Sequence, residues 1–434
     1  MRVVVIGGGL SGLAAAYRLA GKHEVTLLEE KDYLGGMASS YSIEWDGKTY
    51  SVSKTYHHIL DGDKTTIDFI REFGLEDKFR KKKVRQGFVF QGSVKGFSSP
   101  LEILKFPLPL RDKLRLAKFI LFDLKRQDWD SLKDVNAKEW VTKNAGKRNF
   151  EVFFDQLIRN KFHSPPEDIS APWLGTRFSK ESSSFLKKFG WLEGGVSQIV
   201  DGFERGIKDK RGRIIRNAKI VKIRNKKTKE IVYVQNGKRK TINSDVLVSA
   251  IPPKTFLRLV DRIDKDLKKK LESIEYLSCI CLCMGLKNTL VNRYWVNVLD
   301  RDLPFSVFFN HSSLYEDSAP PGKSVMFVTT YLKSKERQWE MSDREIMKLY
   351  AGSMNRIIPG FSKGIEWWKV FRIEFAEAVY SMDFVNPPLS SKGVYFSGIY
   401  RIFPKIRNMA SAIESGLEAA EGAENEIKGM DIKD

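Results

Sequence analysis

The sequence predicts an α/β protein, α+β overall, with a Rossmann-like parallel sheet interleaved with a second domain of mixed sheet and helices. Three observations predict it. An apolar run, Val3-Val4-Val5-Ile6, breaks into Gly7-Gly8-Gly9-Leu10-Ser11-Gly12 and a small-residue helix. A second apolar run ends in an acid, Glu29, about twenty residues past the glycines. Helical and strand-like periodicities then alternate along a chain of 434 residues, long for one hydrophobic core and comfortable for two domains.

The opening strand, turn and helix form a Rossmann-like unit. Gly7 permits a tight turn out of the strand, Gly9 lets backbone approach a pyrophosphate, and Gly12 lets the helix lie close to the sheet. The helix expected over residues 11–20 points its free N–H groups and positive dipole end at the phosphates. The strand over 24–28 delivers Glu29, whose carboxylate can accept both ribose hydroxyls and disfavours a 2′-phosphate. The motif begins almost at Met1, so no signal peptide is expected and the expected location is cytoplasmic.

The run Leu27-Leu28-Glu29-Glu30-Lys31-Asp32-Tyr33-Leu34-Gly35-Gly36 resembles the extended fingerprint of the flavin-containing amine oxidase, protoporphyrinogen oxidase and phytoene desaturase superfamily. Four later blocks resemble the same family in its order: Trp191-Leu192-Glu193-Gly194-Gly195-Val196, a strand over 214–223, Ser244-Asp245-Val246-Leu247-Val248-Ser249-Ala250-Ile251-Pro252, and Gly393-Val394-Tyr395-Phe396-Ser397-Gly398 with the helix from Met409. The resemblance implies an FAD-dependent oxidoreductase. It assigns the cofactor to Gly7, Gly9, Leu10, Ser11, Gly12, Glu29, Glu30, Gly35, Gly36, Met37, Ala38, Ile220, Ala250, Gly398, Ile399, Met409 and Ala410. Ile220 matches the adenine side. Two positions depart from the family pattern: Met37 stands where Arg is common, and Ile399 where an acid is usual.

The resemblance splits the FAD-binding domain into 1–80, 190–270 and 376–434, leaving 81–189 and 271–375 as a substrate domain. Leu114, Ala117, Ile120, Leu121 and Leu124 recur at helical spacing, and Asn136 is placed to cap the helix carrying Trp140. Residues 161–172 read as a turn-rich link. Strands are expected over 279–284, 306–309 and 325–331, with a helix over 343–357.

The chain carries 74 Lys+Arg against 54 Asp+Glu, a formal charge of +20. Short runs hold much of it, among them Lys81-Lys82-Lys83, Lys187-Lys188, Arg224-Asn225-Lys226-Lys227 and Lys268-Lys269-Lys270, read first as solvated faces. Attraction to an anionic membrane or an acidic substrate is the other reading, and residues 97–126, with Lys105, Arg111, Lys113, Arg115, Lys118, Lys125 and Arg126 among apolar residues, also suit an interfacial helix. Packing over a substrate cavity is the reading preferred there. No nucleic-acid module is present. Cys279, Cys281 and Cys283 would share one face of a strand as small reduced core residues, a thiol near the flavin being the alternative. No metal site has recognisable spacing.

A bound flavin would perform the redox step, so no catalytic dyad need be visible. His57 and His58 follow the second glycine pair closely; on a strand they would face opposite ways, and one at most would reach the cavity. Tyr400 and Tyr395 flank the last strand, where an aromatic can lie beside the isoalloxazine. The expected activity is removal of a hydride or electron pair from an apolar or conjugated small molecule, prenyl, carotenoid or porphyrinogen in type, to flavin N5, with oxygen or a quinone as acceptor. Amine oxidation, redox-neutral sugar mutase chemistry and a flavin-free prenyl chaperone are the alternatives.

Overall fold

A computed structural model describes residues 1–125, 128–181, 188–333 and 336–431. Arg126 and Lys187 of the basic runs lie outside the described residues. Arg2–Ile6, flanked by Glu24–Leu28 and Val246–Ser249, is the centre of a six-stranded sheet whose outer strands are Arg213–Ile215 on one side and Val394–Phe396 and Ser390–Ser391 on the other. All neighbours run parallel except the last pair. Val3, Val4, Val5 and Ile6 are all buried, as a parallel strand covered on both faces requires. That is why the run is apolar without alternation.

The first helix, Leu10–Leu19, and the last, Met409–Asp431, pack together on one face of this sheet. A Cβ on Gly416 would stand 2.0 Å from the Ser11 carbonyl oxygen, so the helices touch backbone to backbone. Ala14, Ala15 and Ala16 are fully buried in the same contact zone. A Cβ on Gly12 would lie 1.9 Å from the Gly7 oxygen and 3.1 Å from Ala250 Cβ, which accounts for glycine at that step.

A seven-stranded sheet forms the other half, ordered Ile365–Ala378, Tyr276–Leu286, Ser324–Leu332, Val307–Asn310, Trp295–Val298, Gln86–Phe90 and Ser93–Gly96. Only the pairing of Trp295–Val298 with Gln86–Phe90 is parallel. Helices Pro100–Lys105, Leu110–Leu121, Ala137–Ala145, Asp155–Phe162 and Ala171–Glu181 gather at its side. Asn136 caps as expected, its Oδ1 accepting from the Glu139 N–H at 2.8 Å. The helix over Asp343–Ile357 begins in a capping box between Ser342 and Glu345.

Two expected elements differ. Residues 214–223 are not one strand: Arg213–Ile215 joins the parallel sheet, and Lys219–Arg224 turns into a three-stranded antiparallel sheet. Asn217, with a positive φ of 55°, lies in the break. Residues 161–172 are not a continuous link either, since Lys161 and Phe162 end one helix and Ala171 opens the next. The periodicity of Ile158 and Phe162, four apart and both buried, won over the local turn signals.

Candidate functional site

The carboxyl ends of Arg2–Ile6 and Val246–Ser249 open on a cleft between the two sheets, a cavity of about 250 Å³. Gly9, Leu10, Ser11, Gly35, Met37, Ala38, Ala250, Gly398, Ile399 and Met409 line it. Gly7 turns the chain there with a φ of +99°, a conformation open to glycine at little cost. Gly9 is extended, and nothing lies within 4 Å of where its Cβ would be. The backbone therefore faces free space at the amino end of the first helix. Glu29 is already set: its Oε2 accepts from the Gly8 N–H at 2.6 Å and its Oε1 from the Lys31 N–H at 2.8 Å.

Around this cleft, buried polar atoms lack partners among the described residues, notably Ser11 Oγ, Ser397 Oγ and Tyr400 OH. Unpaired buried polar groups are costly, and a ligand rich in acceptors and hydroxyls satisfies them. Asn408 caps the last helix by accepting from the Ser411 N–H at 2.8 Å, so a second helix amino end is directed at the cavity where Met409 lines it. Open space at Gly9, a carboxylate held by backbone N–H groups beside the turn, two helix amino ends and orphan hydroxyls fit an extended dinucleotide.

The two departures have structural counterparts. Beside Met37 a guanidinium is present after all: Arg407 Nη1 lies 3.4 Å from Met37 Sδ. At Ile399 the backbone carbonyl accepts from Tyr380 OH at 2.5 Å, and the neighbouring Gly398 N–H donates to Ser415 Oγ at 2.9 Å.

Arg407 belongs to a buried network that the sequence reading did not find. Its Nε is 3.0 Å from Glu377 Oε2 and its Nη2 donates to Tyr331 OH at 2.8 Å. Lys161 Nζ donates to the same Glu377 oxygen at 2.6 Å and sits 3.8 Å over the Tyr331 ring. Tyr331 OH in turn shares a 2.8 Å hydrogen bond with Tyr56 OH. Burial alone would raise the Glu377 pKa, but Lys161, Arg407 and Arg177 together hold it below the usual carboxylate range. Burial drives the Lys161 pKa down, opposed by Glu377 and assisted by Arg177 and Arg407. One carboxylate thus serves two buried cations.

Tyr56 and Tyr331 separate the cleft from a second chamber of about 70 Å³, with both residues lining both spaces. Trp173, Trp295, Phe309, Lys161 and Arg177 stand in its wall. Tyr56 stacks on Phe309 with ring centroids 3.8 Å apart. Leu157, Phe178, Trp295 and Asn297 are shared with a third cavity of about 100 Å³, lined otherwise largely by Phe88, Phe97, Phe119, Phe153 and Phe154.

Both histidines line the cleft, because residues 54–58 are not a strand and the alternation expected of one does not apply. His57 Nδ1 contacts the Thr55 carbonyl at 2.9 Å, which requires the proton on Nδ1. Burial pushes the His57 pKa down to about 4 and that of His58 to about 3, so both are neutral near pH 7. Tyr400 lines the cleft, whereas Tyr395 is turned away and donates to Glu426 Oε2 at 2.6 Å. Cys279 also lines the cleft, and burial raises its thiol to about 12, leaving it protonated. Cys281 and Cys283 are free and buried in the strand Tyr276–Leu286.

Not every expected cofactor residue touches the cavity, and Glu29 is among those outside its lining. Gly7, Gly12 and Gly36 shape the turns behind it; a Cβ on Gly36 would meet Gly9 Cα at 3.3 Å. Ala410 is buried and does not line the cleft, although its neighbour Met409 does, and the Glu30 side chain is exposed. Ile220 pairs with Tyr233 in the antiparallel sheet, away from the cleft lining, as the split of 214–223 dictates. Among the described residues, no cluster of metal-ligating side chains occurs, and no helix is long and apolar enough to cross a membrane.

With this geometry in hand, comparison with known proteins gives a family. Residues 10–423 match the family described as flavin containing amine oxidoreductase, and the chain belongs to it. FAD is the cofactor of that family. An L-amino-acid oxidase from Pseudechis australis is 26% identical over 242 residues, covering 51% of this chain and 44% of that protein. The chain therefore spans about half the length of the curated relatives it matches first. A 4,4'-diapolycopen-4-al dehydrogenase from Metabacillus indicus is 21% identical, with 85% of this chain and 83% of that one covered. The structure of a reduced UDP-galactopyranose mutase superposes with a TM-score of 0.76 at 16% identity over 98% of this chain and 95% of the other, a likeness of fold.

Proposed function

We propose that this flavoprotein oxidises an apolar or conjugated small molecule, of prenyl, carotenoid or porphyrinogen type. The observation that carries the reading is the aromatic chamber behind Tyr56 and Tyr331, which has Leu157, Phe178, Trp295 and Asn297 as a common wall with a third, largely phenylalanine-lined space. FAD, when bound, supplies the acceptor of a hydride or electron pair. Gly9 and Ser11 at the first helix would hold its pyrophosphate, Glu29 a ribose, and Gly35, Met37, Ala38, Ala250, Gly398, Ile399 and Met409 its remaining length. Tyr56 and Tyr331, locked together and to Arg407, orient the substrate against the cleft. His57 and His58, neutral at working pH, and Tyr400, with its unpartnered hydroxyl, are the proposed groups at the reacting end. The diapolycopenal named for the Metabacillus indicus relative supports the substrate class.

Lys161 and Arg177 in the chamber wall disfavour a protonated amine there, which sets amine oxidation behind this reading. The same cations favour a second reading, redox-neutral chemistry on an anionic sugar nucleotide, in keeping with the mutase likeness. Anaerobic titration divides them. A polyene or porphyrinogen should bleach the flavin absorbance, an amine should not, and a sugar nucleotide should bind the reduced protein without reoxidising it. Bleaching by amines alone would overturn the proposal, as would a colourless protein that takes up no FAD.

A further inference from the structure

The helices Pro100–Lys105 and Leu110–Leu121, with Phe122 just after them, carry an apolar surface that no described residue covers. Among the described residues, six of the nine exposed large hydrophobics lie here: Leu101, Leu104, Leu110, Leu114, Leu121 and Phe122, each 45% to 63% exposed. The longer helix has two apolar stripes where packing needs one. Leu116 and Phe119 face inward and line the third cavity. Leu110, Leu114 and Leu121 share a second stripe within about 40° at roughly 100° per residue, and it faces out.

Cations flank that stripe. Arg111 and Lys118 stand exposed on one side, Lys105 is exposed at the end of the preceding helix, and Lys113 stands on the other side with its Nζ on the Leu104 carbonyl. Of the nearby acids, Glu102 is turned away into an ion pair with Arg293 at 2.8 Å, and Asp123 stands 4.0 Å from the ammonium of Lys118, which is still largely exposed. Arg115 ties the helix to its neighbour by donating to the Lys143 carbonyl at 2.9 Å, so the face is held in place. Leucines at the centre and long basic side chains at the margin form the pattern that sinks into acyl chains while its charges stay among phosphates.

We propose that this face docks the protein on an anionic lipid surface. Charge complementarity selects the occupant: a chain of net charge +20 gathers most of the exposed large hydrophobics of its described residues beside Lys105, Arg111, Lys113 and Lys118. The helix then has lipid on one side and the third cavity on the other, with Phe119 and Leu116 between. On the oxidoreductase reading above, that cavity is where an apolar substrate leaves the bilayer; the docking itself does not depend on that reading.

Flotation of the full-length FAD-loaded protein with vesicles tests it. Phosphatidylcholine vesicles containing phosphatidylglycerol should carry the protein upward, less so in high salt, and pure phosphatidylcholine should carry much less. Leu104→Ser/Leu114→Ser should reduce partition roughly tenfold or more, with flavin content and melting temperature unchanged. Arg111→Glu/Lys118→Glu should do the same on the anionic vesicles alone. No flotation with phosphatidylglycerol would overturn the proposal. So would a leucine variant that floats like the parent, or a dimer by light scattering that Leu114→Ser dissolves. Flotation with no substrate bleaching would sink only the redox reading, and bleaching without flotation only the docking.

Discussion

At the nucleotide end of the cleft, the turn through Gly7, Gly9 and Gly12 acts with backbone, and a single side chain, Glu29, is held by backbone donors. At the chamber end, Tyr56, Lys161, Tyr331, Glu377 and Arg407 converge from five separated stretches of chain and act with side chains alone. A site made of backbone must be contiguous, since consecutive N–H groups come only from consecutive residues. A site made of side chains needs the whole fold to bring it together, and it is adjustable one residue at a time. On the proposed function, the first would hold the cofactor and the second would face the substrate.

The sharpest way to break that contrast is at the glycines. Gly12→Val should cost more than about 4 kcal/mol, because its Cβ meets the fixed Gly7 carbonyl, and should yield insoluble protein. Gly9→Val should leave the melting temperature of the apoprotein unchanged yet weaken FAD about 100-fold, or about 2.7 kcal/mol, in a flavin absorbance titration. If Gly9→Val unfolds the protein too, the open space assigned to phosphate is structural.

At the chamber end, Glu377→Leu should cost about 3–5 kcal/mol in urea unfolding, since Lys161 and Arg407 are then buried without their carboxylate. Adding Lys161→Met should recover part of the loss. Additive losses would mean the three groups do not act as one network.

Acid should next expose a third region. His311 is 1% exposed, stacks on Tyr315 at 4.2 Å, and has its pKa lowered by burial to about 3. The unfolded chain takes up this proton near pH 6.5 and the folded one refuses it, so stability present above pH 6.5 is lost as pH falls. By pH 4 this amounts to about 3 kcal/mol, to be compared with His311→Phe, whose unfolding should be flatter over the same range. The smallest expected effect is Tyr395→Phe. It removes the hydrogen bond to Glu426, about 1 kcal/mol, and should leave the flavin spectrum untouched, since Tyr395 does not line the cleft.

The same contrast explains what could be read in the amino-acid order. Strand, glycine turn, helix and acid are local, and the parallel sheet with its final helix follows from blocks that keep the family order. The helix over Asp343–Ile357 and its capping Ser342 were legible for the same reason. The single strand expected over 214–223 was wrong because nothing in that run announces that the chain changes sheets at Asn217. His57 and His58 were assigned opposite faces by a strand period that the irregular backbone does not obey. Lys161 gave no signal, being one more lysine in a basic chain. Glu377 offered one: an acid near the end of an apolar and aromatic strand, which a search for buried charge would have noticed.

The contact between Gly416 and the Ser11 backbone joins the first helix to the last. During synthesis the glycine turn emerges well ahead of its partner, and its helix lacks this contact until Met409 and the residues after it have been made. The cradle proposed for the cofactor therefore stays incomplete until both helices, nearly 400 residues apart, have been made.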